Sequence, residues 1–410
     1  MLFLLFGDRK MKLAYEEALE LLLNKIKKIE DTETVSILEA GGKVLAQDVT
    51  APFDQPPFPR SPLDGYALRS ADIKGADKEH PVRLKVIAEE MAGYQVDARV
   101  EPGTAIRIMT GASIPPGADC VVLQEDTDYG EEEVEIYKAL SAGQNICEQG
   151  EDFKKDTVLL RTGDILTPAC IGVIASIGQS FVKVLRRPRV VILSTGDELL
   201  KPGEALRPGA IYDSNLPLMQ MNLLKWGAEI MYAGNSGDDP ENAAALIREY
   251  AKKSDLIVTT GGVSVGKKDI MHDVYEILGA ERIFWRVSIK PGMPTLAGIY
   301  EDTPVVSLSG NPFGVVVTAE LFVKPAISRL AGDKRMELTW CDAIMENEFN
   351  KITKARRFVR ARYDNGKAAV TDGLSKNGTL STVCHSNCLI DIPAGNGPLK
   401  PGDAVKVLMM

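Results

Sequence analysis

Apolar residues recur at helical spacing near the start of the chain. Leu13, Ala14, Ala18, Leu21, Leu22, Ile26 and Ile29 fall on one face of a 3.6-residue helix. Residues 35–50 read as a second short helix with a connecting strand, Val44–Val49. Pro52, Pro56, Pro57, Pro59 and Pro62 then exclude regular helix and central strand, because proline lacks the backbone donor that both need. Short β-like runs follow at Val82–Ile87, Ala105–Met109, Val121–Leu123 and Val134–Tyr137, with Gly and Pro between them. They predict a small β domain inserted between the early helices and residues 150–185, and helix returns at Thr167–Ile177.

From Arg189 the pattern becomes a strand–helix alternation. Strands are expected at Val190–Leu193, Glu229–Ala233, Leu256–Thr260 and Pro304–Leu308. Helices are expected at Ser214–Trp226, Pro240–Lys252, Asp269–Leu278 and Pro312–Leu330, with a β excursion over residues 282–300. Wholly apolar strands between helices mean a parallel sheet covered on both faces. Residues 337–410 alternate in short strands with turns such as Asp364-Asn365-Gly366. The predicted fold class is multi-domain α/β and β: a doubly wound parallel α/β domain, an inserted small β domain and a C-terminal β barrel. The expected boundaries are 12–54 with 148–187 for an N-terminal helical and linker domain, 55–147 for the insert, 188–336 for the α/β domain and 337–410 for the barrel.

A chain of 410 residues has room for roughly two to four domains and needs no disulfide staples. The net charge of −9 is a poor match for nucleic acid or anionic lipid, although a locally basic pocket suits a small anion. No apolar run is long enough for a membrane span. The apolar start, Met1–Phe6, lacks the basic segment of a secretory signal, and Met11 is an alternative start before the first helix. Six scattered cysteines give no disulfide framework and point to a reducing cytoplasm. Cys384, His385 and Cys388 lie close together but lack the second pair that structural zinc needs.

Ligands of an open parallel sheet bind beyond the carboxyl ends of its strands. Four polar loops stand there: 194–198, 234–239, 259–266 and 309–312. The third permits three readings. Gly261, Gly266 and Lys267 fit a phosphate loop, but Lys268 replaces the Ser or Thr that binds magnesium. Gly262-Val263-Ser264-Val265-Gly266 fits a nucleophile elbow, but His272 stands close behind it and His385 lies in another domain. A glycine loop that offers backbone N–H groups to phosphate, with Lys267 and Lys268 adding charge, asks for no missing residue. Glu198, Asp238 and Asp269 sit on separate loops as hard oxygen ligands suited to magnesium; the plain alternative is that the aspartates cap helices. Lys290 precedes the stiff Pro291-Gly292 turn. Arg286, four residues earlier, falls on the same strand face by the period of two, and two cations there suit an oxyanion. The run from Lys351 to Arg362 carries six basic residues, either a solvated face or an attraction for a polyanionic cofactor.

The ordered set of segments resembles the molybdopterin molybdenumtransferases, the family that includes the gephyrin E domain. Those segments are Leu63-Asp64-Gly65-Tyr66-Ala67, Ile106 to Ala112, Gly117-Ala118-Asp119, Gly150-Glu151-Asp152, Ser194 to Glu198, Ile211 to Asn215, Asp238-Asp239-Pro240, Thr260 to Gly266 with Asp269, Ile289 to Gly292, and Gly310-Asn311-Pro312. The resemblance spans roughly residues 12–410 and implies the last step of molybdenum cofactor synthesis. In that step adenylylated molybdopterin and molybdate give molybdenum cofactor and AMP, with magnesium. It also implies catalytic roles for Asp64 and Thr110 of the insert and for Glu198, Asp238, Asp269, Arg286 and Lys290, with Glu198, Asp238 and Asp269 as the metal ligands. Thr195, Gly196, Gly261, Gly262, Ser264, Gly266, Pro291, Gly310, Asn311 and Pro312 are the expected cofactor-binding residues. An elongated homodimer is implied, the insert of one subunit facing the α/β domain of the other, together with contacts to the adenylyltransferase and to recipient molybdoenzymes. Two other functions stay open, a molybdopterin adenylyltransferase with a related α/β domain and a non-enzymatic scaffold. The chain departs from the family at Leu63, where Met is common, at Arg286 and Met293, where Lys is common, and at Ser309, where Pro is usual. Those departures bear on the oxyanion site, including molybdate against tungstate.

Overall fold

A computed structural model of the chain describes residues 12–264, 269–352, 354–371 and 380–410. The candidate start Met11 and the apolar segment before it lie outside the described residues. Helix α1 spans Tyr15–Asn24 and buries Tyr15, Ala18 and Leu22, as its spacing requires. The helix expected within residues 35–50 is absent. Thr32–Ser36 is instead a strand paired antiparallel with Phe181–Leu185, and the chain then turns through residues 37–42. Thr32, Thr34 and Val35 favour strand, and Gly42, at φ 77°, takes a turn conformation closed to most residues. Helix α2, Pro168–Ser176, starts from Thr167, whose side chain accepts from the Cys170 N–H.

The segment between these parts forms a 5-stranded sheet. Its strands, in spatial order, are Cys120–Leu123, Gly65–Leu68, Thr104–Ile108, Val82–Glu90 and Glu133–Ile136. Antiparallel bridges Gln55–Phe153 and Arg60–Cys147 mark where the chain enters and leaves it. Gly65 is obligatory at its crossing, since a Cβ there would lie 2.0 Å from the Val122 carbonyl oxygen.

A 6-stranded sheet forms the centre of the molecule, in the order Glu229–Asn235, Arg189–Ser194, Leu256–Thr260, Thr303–Leu308, Leu296–Tyr300, Glu281–Trp285. The first four strands are parallel. The β excursion joins the edge as an antiparallel hairpin, so the sheet is mixed at one side. Four helical stretches cover it: α3 Asn215–Lys225, α4 Pro240–Ala251, α5 Met271–Leu278, and α6 Pro312–Thr318, which runs through a π turn, Ala319–Val323, into α7 Lys324–Ala331. Helix α1, α3 and the α6–α7 rod share one core with Val190, Ile192 and Val258. Helices α4 and α5 share the opposite core with Val191, Leu193 and Ile257. Burial on both faces is why these strands carry no polar alternation. At the lower end of the sheet Arg186 donates two bonds to Asp255, at 2.6 and 2.9 Å, and a third to Asp31 at 3.0 Å.

The C-terminal strands close into a five-membered ring, Arg356–Asp364, Lys367–Val370, Trp340–Met345, Ala404–Met409, Cys388–Ile392 and back to the first. Asn365 at φ 44° and Gly366 at φ 80° make the predicted tight turn. Cys388 is buried in the ring, and its thiol, pushed up to about 12 by burial, points to the Ala361 carbonyl, whereas Cys384 is exposed. Ile289–Lys290 adds to the barrel in parallel with Arg356–Arg357. Arg356 reinforces this joint with bonds of 2.8 Å to each Asp391 oxygen, and it also pairs with Glu16 of α1 and lies over Tyr15 and Phe358. Replacing Arg356 by Ala strands the Asp391 carboxylate, whose side chain is only 10% exposed. The expected loss is about 3 kcal/mol, read as a lower urea midpoint, and an unchanged midpoint would show that the joint does not depend on this side chain.

Candidate functional site

The four strand-end loops are tied to one another through their backbones. The Ser236 N–H donates to the Ser194 carbonyl at 2.9 Å, Thr195 N–H to Thr260 at 2.9 Å, and Gly261 N–H to Leu308 at 3.0 Å. The Asn215 carboxamide donates to the Gly310 carbonyl at 2.9 Å. Such close approach needs glycine: a Cβ on Gly261, which sits at φ 93°, would lie 2.6 Å from the Thr195 hydroxyl. Beneath the loops the hydroxyls of Ser194, Thr259, Thr260 and Ser309, together with one oxygen each of Asp213 and Asn215, are buried and find no hydrogen-bond partner among the described residues. Buried polar atoms are otherwise almost always paired, so this end of the sheet is set apart from its apolar middle.

The carboxylates take up distinct places at this edge. Glu198 is exposed and folds over Gly196, where a Cβ would meet its Oε2 at 2.7 Å. Asp239, not Asp238, caps α4 by accepting from the Glu241 N–H, which leaves Asp238 half-buried between the loops. The Asp238 N–H donates to Asp197 Oδ1 at 3.1 Å, so Asp197, which the sequence did not single out, links the first two loops. Asp213 accepts from the Asn215 and Leu216 N–H groups at 3.0 Å and starts α3. Among the described residues no three acidic, His or Cys side chains converge tightly enough to hold a metal ion. Glu198, Asp238 and Asp269 stand on three separate loops of this edge. The donor set still fits magnesium, which takes one or two protein carboxylates and completes its shell with phosphate oxygens and water.

The third loop is described as far as Ser264, which is exposed. The predicted cofactor-binding Gly266, with Val265, Lys267 and Lys268, lies outside the described residues. His272 packs edge-on against Trp285 with ring centres 4.3 Å apart. The Trp285 indole donates to the Val263 carbonyl at 3.1 Å and so holds the loop from below.

The cations differ from expectation. Arg286 and Lys290 do not share a strand face, because the strand ends at Trp285 and Arg286 takes a φ of 71°. Arg286 lays its guanidinium over the Trp285 indole at 4.2 Å. Lys290 instead stands opposite Arg357 in strand register. Both line a cleft of about 610 Å³ with Pro291, Ser309, Asn311 and Lys354. Asn311 caps α6 by accepting from the Phe313 and Gly314 N–H groups at 3.1 and 3.2 Å, and Pro312 opens the helix. Further along the Arg357 strand, Arg360 is 1% exposed and stacks 4.6 Å from the Phe313 ring, and its Nε and Nη2 find no partner among the described residues. Burial pushes the guanidinium pKa of Arg357 and Arg360 down, yet an arginine stays charged at any physiological pH. Of the two readings of the basic run, the solvated face holds for Lys351, Lys354 and Arg362, which are exposed, whereas Arg356 and Arg357 are half-buried and Arg360 is buried in a strand that also buries Phe358 and Val359.

Asp64 and Thr110 meet on the inserted sheet. Asp64 Oδ1 accepts from both the backbone N–H and the hydroxyl of Thr110, each at 2.7 Å. Every hydrogen bond of the pair stays within the insert. Those two donors hold the exposed Asp64 carboxyl below its ordinary value, the hydroxyl bond contributing most.

Residues 13–178 match the MoeA N-terminal region (domain I and II), residues 191–329 a probable molybdopterin binding domain, and residues 342–410 the MoeA C-terminal region (domain IV). The chain is 34% identical over 405 residues to a molybdopterin molybdenumtransferase of Staphylococcus aureus strain COL, covering 98% of this chain and 96% of that protein. It is 37% identical over 387 residues to the one of Bacillus subtilis strain 168, covering 93% and 90%. Among solved structures, the molybdopterin biosynthesis moeA protein of Pyrococcus horikoshii OT3 superposes with a TM-score of 0.82 at 32% identity, covering 98% of this chain and all of that one. A molybdenum cofactor biosynthesis protein of Pyrococcus furiosus shares the fold, with a TM-score of 0.60 at 21% identity over 98% of this chain.

The Asp64 pairing predicts a pH response. A depressed carboxyl pKa favours the folded site above the unfolded value, and that contribution is lost as the pH falls through the depressed one. Thr110→Ala is expected to move the Asp64 titration up toward 3.8, as followed by carboxyl carbon NMR. An unmoved midpoint would mean that Thr110 does not govern this carboxylate.

Proposed function

Since the chain belongs to the molybdopterin molybdenumtransferase family, a transferase family of molybdenum cofactor biosynthesis, we propose that it joins molybdate to adenylylated molybdopterin and releases AMP. The observation that carries this reading is the juxtaposition of a polar, glycine-bearing sheet edge with a cation-lined cleft through Ser309 and Asn311. The adenylyltransferase is disfavoured, because MoeA regions flank the molybdopterin-binding domain on both sides. A pure scaffold is disfavoured because the likeness to transferases runs over nearly the whole chain.

In this reading the backbone N–H groups of Gly196 and Gly262 face the phosphates, while Thr195 and Gly261, whose own N–H groups bond the Thr260 and Leu308 carbonyls, hold the loops that carry them; Ser264 and Gly266 are the further cofactor-binding residues of the third loop. Lys290 and Arg357 hold the oxyanion, with Arg360 adding positive charge behind them. Pro291 and Gly310-Asn311-Pro312 set the stiff walls of that cleft. Arg286 acts at one remove, through Trp285 and the Val263 carbonyl that it supports. Glu198 and Asp238, with Asp269 nearby, would hold magnesium together with the substrate's own phosphate oxygens. Bound there, the ion would offset the charge of the phosphoanhydride and ease the loss of AMP. Positioning of the two anionic substrates supplies much of the rate, and no protein nucleophile is needed.

Asp64 and Thr110 complete the site from a second subunit, the arrangement that the family resemblance implies. The working form is thus a homodimer, with domains 12–54 plus 148–187, 55–147, 188–336 and 337–410. A cytoplasmic location is supported by six unpaired cysteines. Among the described residues no helix is long and apolar enough to cross a membrane. Substrate arrives from an adenylyltransferase and product passes to molybdoenzymes, so transient contacts with both follow from the chemistry. Molybdate is favoured over tungstate only by the family.

Lys290→Met and Arg357→Met are each expected to lower molybdate-dependent AMP release about 10² to 10³-fold, the scale for removing one preorganised charged contact. Arg286→Met, which loses a stacked support, is expected to cost about tenfold or less. If Lys290→Met released AMP at the unaltered rate at limiting molybdate, the oxyanion assignment would be wrong.

A further inference from the structure

We propose that Glu90 is a positioning residue for the Asp64–Thr110 pair, an inference that rests on reading that pair as part of the active site. The strands Val82–Glu90 and Thr104–Ile108 run parallel and end together, with Glu90 opposite Ile108. The chain therefore leaves both strands on the same side of the sheet, into a loop that begins at Met91 and a turn at 109–113 that carries Thr110.

The Glu90 side chain is 1% exposed, an uncommon place for a carboxylate. It accepts one hydrogen bond from each of the two loops. The Val96 N–H donates to Oε2 at 2.9 Å, and the Ser113 hydroxyl donates to Oε1 at 3.3 Å. Its own carbonyl accepts from the Met109 N–H at 3.1 Å. Thr110 thus lies between two residues fixed by Glu90. The turn is also bonded to the segment leading into Asp64: the Gly111 N–H donates to the Ser61 carbonyl at 2.8 Å, and the Ser61 N–H to that of Ala112 at 2.9 Å. The Met91 loop lies against the turn, since a Cβ on Gly111 would touch the Ala92 Cβ at 3.6 Å.

A purely structural role leaves this arrangement without a cause. The core of the insert is apolar, built from residues such as Tyr66, Leu84, Ala105 and Val122, and needs no charge at the end of a strand. Burying a carboxylate there opposes folding unless it is well bonded. Both of its side-chain donors belong to the loops around Thr110 and neither to a strand. Glu90 therefore acts through the turn, holding the Thr110 N–H and hydroxyl at the distance Asp64 needs.

Two readouts test this on the full-length protein. In Glu90→Ala the Asp64 titration, followed by carboxyl carbon NMR, is expected to move up, as in Thr110→Ala. AMP release from adenylylated molybdopterin is expected to fall about tenfold or more, while the double variant with Thr110→Ala falls no further than Thr110→Ala alone. Glu90→Gln is expected to stay within about threefold of the parent, because its amide oxygen accepts from Val96 and its NH2 group donates to the Ser113 oxygen. Should Glu90→Ala fail to fold, as judged by its melting curve, Ser113→Ala removes one of the two bonds and enters the same cycle. An unmoved Asp64 midpoint, or rate losses that multiply, would overturn the proposal. A shifted midpoint with full activity in Thr110→Ala would instead uphold the positioning and remove the pair from the active site.

Discussion

The parallel pairing of Ile289–Lys290 with Arg356–Arg357 is the constraint on which the architecture turns. It grafts a short piece of the α/β unit onto a closed barrel and sets Lys290 beside Arg357. Helix α1 then packs over the joint, and Arg356 binds the helix and the barrel together through Glu16 and Asp391. A small barrel with its own core has no intrinsic reason to face the loops of a parallel sheet. The shared strand supplies one, and the cleft is its result.

The same logic explains why the sheet edge is polar underneath. Its strands are apolar where helices cover them and end in Ser or Thr where they do not: Ser194, Thr259-Thr260 and Ser307 are the last residues before or at the loops. Glycine lets the loops approach closely enough to bond to one another, so the edge is one connected frame rather than separate turns.

Much of this was legible in the sequence because it is local. Wholly apolar runs such as Val190–Leu193 announced the parallel sheet, the Asp364-Asn365-Gly366 turn announced a hairpin, and the ordered motifs announced the family. What was not legible depended on one dihedral angle or on long-range pairing. The positive φ at Arg286 breaks the strand that period-two reasoning assumed. Within the basic run, Arg357 is picked out from its neighbours only by its pairing with Lys290, across more than sixty residues of chain. Asp197 was passed over because its role, accepting from the Asp238 N–H, arises between loops and leaves no mark on either. The helix expected within 35–50 failed because its first residues pair with Phe181–Leu185, far away in sequence.

Arg186 joins its own segment to two others, at Asp31 and Asp255. Its forked bonds to Asp255 and its third bond to Asp31 sit where the returning chain passes into the first strand of the central sheet. A guanidinium so engaged fixes direction as well as distance, so the outlying insert is carried on a bracket rather than a tether.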